Sequence, residues 1–184
     1  MNNAEQTITP IVDSPREIGI QAADRQNIAE RLSEILAGTY GLLIKTQIIH
    51  WNTHGMRFFE IHKLTEAQYN TLFAAIDVIA ERVLVLGFNI PLRADHLLSR
   101  EDLSFDPAMT TDDMLEWLAT GHEASARAIR ETADMADSAS DRVSGDMLNA
   151  RLAEHEMAVW MLRAQKQRTD SATGSNGSKA GQKR

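Results

Sequence analysis

The chain has no cysteine, no excess of basic charge and no long apolar run. Without cysteine there is no disulfide framework and no thiolate metal site, so any metal must be held by histidine and carboxylate. The formal net charge of −7 excludes a generally basic nucleic-acid binder. The longest uncharged apolar run, Val83 to Leu92, is too short to span a bilayer and is broken by Gly87 and Pro91. The first residues lack the basic-then-apolar pattern of a signal peptide. The expectation is a cytoplasmic protein with no membrane partner.

What is present is 184 residues, 43% hydrophobic, enough for one domain with a real core. One stretch organises it: HWNTHGMRFFEIHKLTEAQYNTLFAAIDVIAER, which begins at His50. It sets His50, His62, Glu66, Asp77 and Glu81 inside or beside apolar helix, where ionisable groups are costly unless paired or metal-bound. A helix from near Phe58 to about Leu86 brings His62, Glu66, Asp77 and Glu81 onto one broad stripe. Along the axis they are apart, with roughly 22 Å between His62 and Asp77 and roughly 16 Å between Glu66 and Asp77. Metal–ligand bonds are about 2 Å, so one copy cannot bring both halves to one ion. Two antiparallel copies can. The positions are mirror-spaced about a two-fold axis between Thr71 and Leu72, so that His62 faces Glu81 of the second copy and Glu66 faces Asp77. Such an isologous pairing creates two equivalent sites. His50, ending the preceding helix, can lean over the His62 end, and Gly55 suits the turn between them.

The pattern HWNxxGxxFxxxH, followed by QYN and D-x-x-x-E-R, resembles the Dps family of ferritin-like mini-cages (DNA-binding proteins from starved cells). The resemblance extends into RLAEHEMAVWMLRA and covers roughly residues 24 to 166. It implies an all-α, ferritin-like four-helix bundle and a homo-oligomer, a dodecamer built from two-fold dimers. It also implies an iron ferroxidase site between subunits. His50, His62 and Glu66 would come from one subunit, and Asp77 and Glu81 from the other. Hydrogen peroxide, in preference to dioxygen, would be the oxidant, and ferric mineral would be stored in the cage. Many relatives carry Asp where this chain has Glu66. Zinc can compete for such ligands. No Glu is followed by His three residues later, which disfavours the Glu-x-x-His centre built inside a single bundle.

In chain order, residues 1–23 read as a tail that is either disordered or laid along a neighbour. Asp24 is the expected N-cap of the first helix. Ile28, Leu32, Ile35, Leu36, Tyr40, Leu43, Gln47 and Trp51 form its inner stripe. Trp51 is either a core or interface aromatic or, by the resemblance, an electron donor near iron. Residues 88–109 form a long connection with a short extra helix expected in RADHLLSRE; His96 there reads as surface. Thr111 opens the third helix, with Met114, Leu115, Leu118, His122, Ser125, Ile129 and Thr132 inward, and His122 reads as a core residue. The fourth helix, from about Ser144 to Gln167, turns Met147, Leu148, Leu152, His155, Val159 and Leu162 inward.

Asp137, Asp141 and Asp146 lie at the joint of these last helices. They are either turn and cap residues or, by the resemblance, the lining of a three-fold iron-entry pore, where carboxylates would concentrate cations. The Gly/Ser-rich end, residues 168–184, reads as a flexible basic tail. Lys166, Arg168, Lys179, Lys183 and Arg184 make it the expected DNA contact, or else a solubilising segment. The end from Lys166 onward carries +4 and the N-terminal tail −2, leaving −9 on the helical part. An acidic core would draw Fe²⁺ while basic tails reach phosphates, and many copies would make weak contacts avid. With DNA bound, the protein would be nucleoid-associated.

Overall fold

The three- and four-residue apolar steps become four α-helices in the computed structural model, which describes residues 8–11, 17–90 and 105–166. They are α1 (Ala22–Asn52), α2 (Phe58–Val85), α3 (Thr111–Ser138) and α4 (Arg142–Ala164). α1 packs along α2 and α3, and α3 packs along α4, giving an all-α four-helix bundle. Leu32, Leu36, Ile61, Leu72, Leu115, Leu118 and Leu148 fill the centre with almost no exposure. Each such side chain contributes about 1.5–3 kcal/mol of burial. Gly121 lets α3 approach α1 closely, since a Cβ there would lie 2.9 Å from Leu42 Cδ1.

Two expectations for α1 are corrected. The helix starts at Ala22 with Gln21 as N-cap, and Asp24 lies in the first turn, where it faces the positive end of the helix dipole. The inner stripe does not run on to Trp51, which is 68% exposed. Successive four-residue steps each advance about 40° beyond a full turn. Gln47 and Trp51 therefore rotate off the core, while Leu42, Thr46, Ile49 and His50 hold it.

Gly55, at φ 86°, makes the turn from α1 to α2, and Gly87, at φ 100°, ends α2. Thr110 caps α3 in a reciprocal box with Asp113, one residue before the expected start. Asp141 caps α4 by accepting from the Ser144 amide. Residues 8–11 are joined to the chain's own bundle. Ile8 is buried, the Ile11 amide donates to the Gly87 carbonyl, and the Asn89 amide donates to the Thr9 carbonyl, both at 2.9 Å. The expected short helix in the long connection, with His96, lies outside the described residues, as do Arg168, Lys179, Lys183 and Arg184.

Candidate metal centre

His50 at the end of α1 and His62 in the second turn of α2 face each other across the Gly55 turn. Their rings stack with centroids 3.7 Å apart and planes 18° from parallel. His50 Nδ1 donates to the His62 carbonyl oxygen at 3.0 Å, and His62 Nδ1 donates to the His50 carbonyl oxygen at 3.1 Å. A carbonyl only accepts, so both Nδ1 atoms carry hydrogen, and the nitrogen left to bind a metal on each ring is Nε2. That is the tautomer a metal ligand needs, fixed by an outer hydrogen bond. Thr65 and Tyr69 support His50, the first within 3.2 Å of Nδ1 and the second edge-on at 5.2 Å. Phe58 stacks on the other face of His62.

Glu66 follows His62 by one helical turn. Lys63 donates to it at 2.7 Å, and this ammonium holds the Glu66 carboxyl below its ordinary range, with smaller help from His50 and His62. Asp77 and Glu81 are exposed farther along the same helix. The structure thus brings His50, His62 and Glu66 to one end of α2 and leaves Asp77 and Glu81 apart from them. Among the described residues no three His, Cys, Asp or Glu side chains of one chain gather closely enough to hold a metal ion.

The same face carries apolar groups in solvent. Phe59, Phe73 and Leu84 are 66%, 68% and 40% exposed. At about 100° per residue they fall in the angular range of His62, Glu66, Asp77 and Glu81. Under the mirror spacing of the candidate ligands, Phe59 meets Leu84 of a second copy.

The family model for the ferritin-like domain matches residues 29–172. The chain is 33% identical over 143 residues to a DNA protection during starvation protein of Brevibacillus brevis, covering 76% of this chain and 95% of that one. The chain belongs to the Dps family of ferritin-like proteins. An uncharacterised low temperature-induced protein of Nostoc sp. is 34% identical, with 80% of this chain and 84% of that protein covered. The crystal structure of a Dps protein from Vibrio cholerae O1 superposes with a TM-score of 0.75 at 26% identity. That likeness covers 81% of this chain and 94% of that one.

The remaining expected residues divide. Trp51, adjacent in sequence to His50, is in solvent at the end of α1. Asp137 and Asp146 are exposed, but Asp141 does not join them. It is 1% exposed and ion-paired to Arg82 at 2.6 Å, and it accepts from the Ser144 hydroxyl at 2.6 Å. Burial pushes the Asp141 carboxyl up, but the bonds from Arg82 and Ser144 outweigh this and hold it below its usual range. Within one chain Asp141 thus acts as the α4 cap and the partner of Arg82. Lys166 is paired to Glu116 at 2.9 Å. Sequence reasoning missed Lys63, Thr65 and Tyr69. The three- and four-residue spacing of Lys63 to Glu66 and of Thr65 to Tyr69 was the only signal for them.

Among the described residues, no helix of this Dps-family chain is long and apolar enough to cross a membrane.

Proposed function

We propose that this Dps-family chain binds Fe²⁺ between two-fold-related copies, oxidises it, and stores the ferric product in a homo-oligomeric cage. The observation that carries this reading is the reciprocal His50–His62 bonding, which stacks two imidazoles together and leaves the Nε2 of each as its metal-binding nitrogen, one helical turn before Glu66. Two nitrogens and several carboxylate oxygens suit ferrous iron. Asp77 and Glu81 of a second copy would complete the set, and the exposed Phe59, Phe73 and Leu84 supply apolar surface for that pairing. The name of the Brevibacillus relative speaks of protecting DNA, and removing Fe²⁺ together with peroxide is a chemical route to that end.

In this reading, His50 and His62 bind and orient the ferrous ion. Asp77 and Glu81 balance its charge as it rises, and Glu66 holds a second, weaker ion once released from Lys63. Peroxide takes the electrons, and dioxygen serves more slowly. Trp51 is near enough in sequence to act as an electron donor. Asp137 and Asp146 are candidates for a cation entry path. The test is Fe²⁺ oxidation on anaerobically loaded, size-checked protein, with peroxide and then air. Fast peroxide-driven oxidation by a large oligomer supports the reading. A large oligomer that oxidises iron no faster than buffer overturns it.

A second reading, a DNA-compacting shell, is favoured by the basic residues Arg168, Lys179, Lys183 and Arg184. Removing residues 168–184 should then abolish DNA retention, and retention should fall steeply with salt. Unchanged retention would reject contact through the tail.

A further inference from the structure

Away from the candidate metal face, α2 and α4 enclose a pocket of ≈ 180 Å³. Gln68 and His122 line its base. Gln68 is 8% exposed, and neither atom of its side-chain amide has a hydrogen-bond partner in the chain. His122 is 3% exposed, and its Nε2 is likewise unpartnered, although its Nδ1 meets His155 Nδ1 at 3.0 Å. Buried polar groups in folded proteins are overwhelmingly paired, and two of these orphaned atoms, Gln68 Nε2 and (in the tautomer with hydrogen there) His122 Nε2, can donate to a guest in the cavity. The half-buried Arg151 also lines the cavity; among the described residues no carboxylate forms an ion pair with it, and Glu154 acts on it only through its field. A desolvated cation favours an anion. The other walls, among them Leu64, Leu72 and Met161, are apolar.

We propose that this groove binds a short-chain monocarboxylate, its head held by Arg151, Gln68 and His122 and its chain by the apolar walls. The volume suits a short-chain acid. Water alone would serve the polar base but leave the apolar walls unmatched. Glu154 at the rim disfavours a second negative charge, selecting a monoanion over a dicarboxylate. On α2, Leu64, Gln68 and Thr71 lie a third to half a turn or so from the Glu66–Asp77 stripe. The pairing of two copies through that stripe therefore leaves the groove open, and binding does not depend on iron.

The test is calorimetric titration of the full, assembled chain with hexanoate, its uncharged isostere hexanamide, and the dicarboxylate adipate. Expected are one hexanoate per chain, hexanamide weaker by about tenfold or more, and no adipate binding. Arg151→Met should erase the preference for hexanoate over hexanamide. Ala67→Phe, placed at the exposed mouth, should block both. If the Arg151 variant does not assemble, the hexanamide comparison and Ala67→Phe still decide. No hexanoate binding, equal binding of hexanoate and hexanamide, or binding that survives Ala67→Phe would overturn the proposal.

Discussion

His50 and His62 each donate an Nδ1 hydrogen to the other's main-chain carbonyl, at 3.0 and 3.1 Å, while their rings lie 3.7 Å apart. The anchor of each ring is thus the partner's backbone, not the partner's ring. Replacing one histidine leaves the other's tautomer in place. His50→Ala and His62→Ala should each remove one ligand and weaken Zn²⁺ or Co²⁺ binding, and the double variant should abolish it. The visible spectrum of bound Co²⁺ reads both. A single variant with no residual binding would mean the rings depend on each other directly.

Phe73 is 68% exposed on the face of the candidate ligands and is not itself a ligand. Phe73→Glu should set like charges near the two-fold axis, shift the sedimentation profile toward smaller species, and lower metal affinity with them. Unchanged assembly would show that this face is not where copies meet.

The buried pair His122–His155 makes the fold sensitive to acid. Burial, and then Arg151, lowers His122 from 6.5 to about 4. Burial, His122 and Arg151 lower His155 to about 3. Above pH 6.5 neither the folded nor the unfolded chain binds these protons, and nothing is lost. As pH falls from 6.5 toward 4, the unfolded chain takes up protons that the fold refuses, so stability declines by a few kcal/mol. Thermal melts between pH 7.5 and 4.5 should show this, and His122→Leu combined with His155→Leu should flatten the decline. An equal decline in the double variant would place the acid sensitivity elsewhere.

Arg82 and Asp141 tie the end of α2 to the start of α4 through a buried ion pair. Asp141→Ala leaves the Arg82 cation unpaired and removes the α4 cap, so chemical denaturation should show a loss of about 3 kcal/mol or more. A loss under about 1 kcal/mol would fit an exposed pair instead.

Helix periodicity was legible because apolar residues repeat at three- and four-residue steps. It located α2 at both ends, with Phe58 as expected and Val85 one residue short of Leu86. The resemblance to Dps proteins was legible because its motif is long and fixed in spacing. Trp51 leaves the core stripe of α1 because four-residue steps drift off a 3.6-residue helix. The burial of Asp141 was not legible, since its partner Arg82 lies 59 positions away and no local pattern joins them. The orphaned amide of Gln68 and the reciprocal His50–His62 bonds are likewise products of packing, not of spacing.

The most direct test of the central claim, a site shared between two copies, is complementation. A chain with His50→Ala and His62→Ala and a chain with Asp77→Ala and Glu81→Ala are purified alone and as tagged mixed dimers or cages. Anaerobic Co²⁺ binding is then measured. The account predicts no tight site in either pure variant and one restored site in each mixed dimer, where intact histidines of one copy meet intact carboxylates of the other. Full binding by the Asp77/Glu81 variant alone, or no recovery in mixed dimers shown to have formed, would contradict it.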